Sequence, residues 1–209
     1  MFNDLDLQHT SAMSERNIDS LLWAESLIHS RRTTLPKRLT GPGPDEHQKI
    51  VILEAAAAAP DHDQILPWRF IEIPCTARQS LGLAFEKALL ERDPEANPEE
   101  CLSALEKAQR SPWLLLAIAR TQGEPIEIGP HERLVSAGAA IQNVLLMATA
   151  LGMGSALTSG KALQSSAIRD LFQLHPHEQA LCFINVGHIV ESRKPRSRPN
   201  LARFFSVLT

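Results

Sequence analysis

Cysteine is scarce in this chain, and the three that occur form no pattern. Cys75, Cys101 and Cys182 are odd in number, widely spaced and free of any C-x-x-C pair, which excludes a disulfide framework and a zinc ribbon. None of the eight histidines belongs to an H-E-x-x-H motif, and His175-Pro176-His177 has no second ligand pair and reads as a loop. No metal site is expected. Bulk charge is also small, at −3, so nothing marks the chain as a whole for nucleic acid or a membrane surface. The first twenty residues hold scattered acids and no apolar run of signal-peptide type. Residues 1–18 are therefore expected to form a flexible leader, and the expected compartment is the cytoplasm. Internal repeats and low-complexity stretches are absent.

What is present is enough apolar residue for one substantial core: 44% hydrophobic and 22% charged over 209 residues. The charge is unevenly placed. After Glu191 come Arg193, Lys194, Arg196, Arg198 and Arg203 with no acid, leaving the preceding body at −8. Such a tail is either a solvated segment or a phosphate clamp.

Element by element, Asp19 or Ser20 can cap a helix running to about His29, followed by Ser30-Arg31-Arg32-Thr33-Thr34. Two arginines there suit the helix macrodipole, and forked cations beside a hydroxyl also suit a phosphate. Lys37 to Pro44 is a Pro/Gly-rich connection, and Asp45 opens a helix into an alanine run that Pro60 stops. A short polar loop leads to the β-rich run from Trp68 to Ile73. Residues 77–112 form a helical insertion: Leu81, Ala84, Phe85, Ala88 and Leu89 share one helical face, then Leu102, Leu105 and Ala108 point inward from a second helix. Trp113 to Ala119 is a continuous apolar run that reads as a strand covered on both faces.

Leu134 to Leu151 is a helix apolar almost all round. Gln142 and Asn143 at its centre and the lack of flanking hydrophobic segments argue against a transmembrane span, so a partner subunit covering one face explains it better. Gly152-Met153-Gly154 follows a helix, not a strand, and lacks a third glycine, so it is no dinucleotide fingerprint. Ser155 to Ser159 is a short strand, Ser165 to Phe172 a helix and Ala180 to Val190 a further strand. About four strands dispersed among longer helices make residues 19–209 a single α+β domain, with 193–209 as a basic C-terminal tail.

Four of these segments occur in the order found in the FMN-dependent nitroreductase family. They are Arg31-Arg32-Thr33; Ala59-Pro60-Asp61-His62 with Pro67-Trp68-Arg69-Phe70; Ser136-Ala137-Gly138-Ala139-Ala140 leading to Gly152-Met153-Gly154; and Gly187 followed by Lys194-Pro195-Arg196. Over about Leu21 to Phe205 the chain resembles this family, in particular its compact bacterial branch of NAD(P)H nitroreductases. The resemblance implies a central, mainly antiparallel sheet flanked by helices, and an intertwined homodimer holding FMN between its subunits. It assigns Arg31, Arg32 and Thr33 to the FMN phosphate and ribityl chain, with Lys194 and Arg196 near that phosphate. Pro60, Asp61, His62 and Gln64 would reach the site from the opposite subunit, Leu66 counts among the cofactor-binding positions, and Leu157, Thr158, Ser159 and Gly160 would lie beside the ring. It implies NAD(P)H as co-substrate and a small-molecule electron acceptor such as a nitroaromatic or a quinone, reduced in a ping-pong cycle.

The flavin carries that chemistry, so no catalytic side chain is named. The sequence departs from the family at Leu66, where a Gln is common, and at Leu157-Thr158, where the compact branch has Trp-Arg. The expected result is a wider, more apolar ring pocket, and a non-catalytic flavin or nucleotide binder is the alternative reading. A nucleic-acid module built on the tail is disfavoured by the acidic body.

Overall fold

A computed structural model of the chain describes residues 15–190 and 197–208. Its centre is the strand β3 (Trp113–Arg120), buried along its length until Arg120. Because successive side chains of a strand point to opposite faces, this apolar run feeds two cores at once. Trp113, Leu115, Ala117 and Ala119 enter one cluster, while Leu114, Leu116 and Ile118 enter the other. Each buried Leu or Ile contributes roughly 1.5–3 kcal/mol.

β3 pairs antiparallel with β2 (Trp68–Glu72) on one edge and with β5 (Glu178–Ile189) on the other. The far edge of β5 takes β4 (Gly154–Thr158), and the two-residue β1 (Leu39–Thr40) pairs with the end of β5. All these pairings are antiparallel. Among the described residues five strands thus replace the four expected, because β1 is hidden inside the Pro/Gly-rich connection.

The first face of the sheet is covered by α5 (Pro130–Ala150), whose Ala137, Ala140, Ile141, Val144 and Ala148 pack with Ile52 of α2 (Glu46–Glu54). α5 is long and apolar enough by composition to cross a membrane, but eight of its side chains are buried within this chain. Its outer stripe carries Val135, Gly138 and Gln142. α2 starts with a capping box between Asp45 and Gln48. The alanines after it wind into a 3-10 turn (Ala55–Ala58), and Ala59 turns extended (ψ 147°) as Pro60 requires. Asn143 of α5 donates to the Ala55 carbonyl at 3.1 Å, a close approach that small side chains permit.

The second face carries α3 (Arg78–Arg92), α4 (Pro98–Glu106) and α6 (Ser166–Leu171). Leu81 and Ile168 are fully buried there against Leu116 and Phe183. Leu102 does not point inward as its spacing suggests; it is exposed, and Ala104 takes the buried position. Arg78 is buried and donates to the carbonyls of Ile73 (2.7 Å) and Ala108 (2.8 Å), tying the end of β2 to the turn after α4. At the first rung of β5, Glu178 accepts two bonds from Arg69, at 2.6 and 2.8 Å. That guanidinium holds the Glu178 carboxyl below its usual range.

α1 (Glu15–Ser30) starts four residues before Asp19. Residues 15–18, assigned to the leader from sequence, are therefore helical, and residues 1–14 lie outside the described residues. Leu21, Leu22, Trp23 and Ile28 on this helix are exposed, Trp23 to 77%.

Candidate functional site

The first two segments singled out by sequence stand at two ends of the sheet, not at one point. At the first end the chain leaving α1 runs beside β4: Thr33 forms a parallel bridge with Ser155, and the Thr34 N–H donates to the Ser155 carbonyl at 2.8 Å. This fixes Arg31, Arg32 and Thr33 along one edge of the strand whose other end is Leu157-Thr158. Arg31 and Arg32 are half-buried, and neither enters an ion pair among the described residues.

Arg198, from the tail, donates to the carbonyls of His29 (3.3 Å) and Arg31 (2.9 Å) and so caps the C-terminus of α1. Burial, then Arg198, then Arg32 push the Arg31 pKa down. Three guanidiniums crowded together, with no acid among the described residues pairing with Arg31 or Arg32, form a site that an anion would relieve. The sequence signal for Arg198 was its place in the basic tail. The Lys-x-Arg pattern pointed instead to Lys194 and Arg196, which lie outside the described residues.

Thr158 accepts a hydrogen bond from Asn185 Nδ2 at 3.1 Å, while Leu157, Ser159 and Gly160 are exposed. Thr158 and Gly160 open onto a cavity of about 640 Å³ between the sheet, α3, α4 and the 3-10 turn Lys161–Gln164. That volume suits an organic cofactor or substrate.

At the opposite end stands the loop carrying Pro60, Asp61, His62, Gln64 and Leu66. It is tightly held. The Asp61 carboxylate accepts the Leu66 N–H at 2.8 Å, and Arg120 donates to the Ile65 carbonyl. His62 Nδ1 lies 2.9 Å from Glu132 at the start of α5. Asp63 (φ 55°), Gln64 (φ 55°) and Leu66 (φ 47°) are left-handed. For Leu66 this costs roughly 1–2 kcal/mol, and the bonds from Asp61 and Arg120 to its peptide groups hold it there. The second carboxylate oxygen of Asp61 is buried without a partner among the described residues. Leu66 itself is 58% exposed.

The distance between the two ends follows from register. Ser155 pairs with Val186 of β5, whereas Arg120, which grips the loop, pairs with Glu178. Eight residues of β5 separate these rungs, about 26 Å at ~3.3 Å per residue. Within one chain the loop cannot close over Arg31.

The thiols take no visible part. All three are free, and burial pushes Cys182 up to about 11.

Comparison with known proteins bears on this geometry. The sequence profile described as the nitroreductase family matches residues 28–188. A Haemophilus influenzae protein named "Putative NAD(P)H nitroreductase" is 27% identical over 175 residues, covering 84% of this chain and 93% of that one. Among solved structures, a nitroreductase-like family protein from Bacillus cereus superposes with a TM-score of 0.76 at 17% identity, over 88% of this chain and 95% of its own. A Bacteroides fragilis nitroreductase with bound FMN superposes with a TM-score of 0.66 at 16% identity, over 88% and 98%. With its α+β architecture and its mainly antiparallel sheet between helices, this chain belongs to the nitroreductase family.

Proposed function

We propose that two copies of this chain enclose two FMN molecules and use NAD(P)H to reduce nitroaromatics, quinones or related electrophiles in a ping-pong cycle. One observation carries the cofactor reading: the cluster of Arg31, Arg32 and Arg198 beside β4, none of which pairs with an acid among the described residues. It fits a phosphate dianion, which the three forks would grip with charge-assisted bonds while Thr33 donates its hydroxyl. Lys194 and Arg196 complete this end in the same reading. Leu157, Thr158, Ser159 and Gly160 would line the ring, leaving it open where a bulkier side chain would wall it. When bound, FMN supplies hydride transfer from NAD(P)H to the acceptor. For a nitro group the net step is ArNO2 + NAD(P)H + H⁺ → ArNO + NAD(P)⁺ + H2O. No nucleophile or general base of the chain is needed for it.

The loop with Pro60, Asp61, His62, Gln64 and Leu66 would come from the second copy, since about 26 Å of sheet separates it from Arg31 in its own chain. Exposed apolar residues support that pairing. Leu21, Leu22 and Trp23 on α1, and Leu201, Phe204 and Phe205 in the tail, are large side chains left in solvent by one chain alone. In this reading the enzyme works in the cytoplasm, where three free thiols would stay reduced.

Sedimentation equilibrium monitored at a flavin wavelength tests the reading. The expected coloured species has twice the 23.1 kDa chain mass and bleaches with NAD(P)H. A coloured dimer that does not bleach would support a non-catalytic binder, and a colourless monomer would overturn the proposal.

A further inference from the structure

The cavity beside Thr158 and Gly160 has a charge pattern that the flavin reading does not absorb. Lys37, Arg92, Lys107, Arg110 and Lys161 line it, and among the described residues no carboxylate does. They come from four separate parts of the fold: the turn before β1, the end of α3, the turn after α4 and the turn after β4. None of the five enters an ion pair among the described residues. In a chain with three more acids than basic residues, this is a local excess of one sign.

The floor is of opposite character. Phe85, Leu114, Leu163 and Phe183 supply it, with Phe85 edge-on to Phe183 at 5.5 Å between ring centroids. A flat apolar body would pack on these rings, and a negative substituent would face the cations at the rim.

We propose that this cavity selects, among nitroaromatic and quinone electron acceptors, those that also bear a carboxylate or sulfonate. The proposal rests on the flavin reading only for the step of reduction. Binding of the anion needs no flavin. The cations steer the acceptor from solution, and the phenylalanines hold its ring beside Thr158.

The probes are 4-nitrobenzoate and its neutral counterpart 4-nitrobenzamide. At saturating NADPH, the protein as purified should show a lower KM for the anion, by roughly ten-fold for a few exposed cations acting together. Raising the salt from tens of millimolar to about half molar should erase most of that preference. In Lys107→Glu/Arg110→Glu, two exposed positions, the KM ratio should fall to one or invert. Equilibrium dialysis without reductant should show the same order of binding, with or without FMN.

Equal KM values for the two probes, or a preference indifferent to both salt and the double substitution, overturns the inference. If the protein takes up no FMN, the flavin reading fails while dialysis still reads the cavity. If it is yellow and bleaches but treats both probes alike, only the inference fails.

Discussion

His62 Nδ1 and a carboxylate oxygen of Glu132 stand 2.9 Å apart, fastening the loop between Pro60 and Leu66 to the first turn of α5. The hydrogen bond to Glu132 raises the His62 pKa first, and Asp63 adds to it; the same bond lowers Glu132. The two shifts define a window. The His62 contribution is fully present below its ordinary value near 6.5 and fades as pH rises through its raised value. The Glu132 contribution is present above its ordinary 4.5 and fades as pH falls through its lowered value. In an NMR titration the His62 ring should therefore show a midpoint above 6.5, which Glu132→Gln moves down. A midpoint unmoved by that substitution would mean the contact is absent in solution.

Arg31→Ala removes one fork from the guanidinium cluster. A bond to a charged partner is worth roughly 1.5–3 kcal/mol, so the FMN dissociation constant should rise by about 10- to 100-fold. Fluorescence quenching of free FMN reads this directly. Unchanged affinity would leave Arg31 as a helix-end cation alone.

Gly82 marks where α3 meets α4. A Cβ there would sit 2.9 Å from the Leu105 carbonyl oxygen and 3.4 Å from its Cα, so Gly82→Ala must push two backbones apart. Overpacking costs about 1–3 kcal/mol, against a helix-propensity gain of up to about 1 kcal/mol. The clash wins, because the obstacle is main chain. Calorimetry should show Tm lowered by roughly 2–8 °C; a rise would mean the helices separate freely.

Much of the scaffold was legible because periodicity reports burial. The apolar run from Trp113 predicts a doubly covered strand, and β3 divides its side chains between two cores. The spacing of Leu81, Ala84 and Ala88 likewise predicts the buried face of α3. β1 escaped because two residues carry no period. Leu102 misled because an amphipathic stripe has edges, and Ala104 lies nearer its middle. Among site residues, Arg198 was hidden by its neighbours in the tail. The left-handed backbone at Leu66 carries no signal in a side chain that ordinarily avoids it. Register agrees with what the family resemblance implies: the rungs nearest Arg31 and nearest the Asp61 loop stand eight residues of β5 apart in one chain.

The proposed sharing of the site between copies is tested most directly by mixing two defects. Arg31→Ala damages the phosphate end and Asp61→Ala the loop that Asp61 braces, so each variant alone should retain little FMN. In co-expressed chains that pair at random, half the dimers contain one of each, and one of their two sites has both ends intact. FMN should then return to about one quarter of all sites. Retention no higher than in either variant alone would place Arg31 and Asp61 in the same site of one chain and contradict the account.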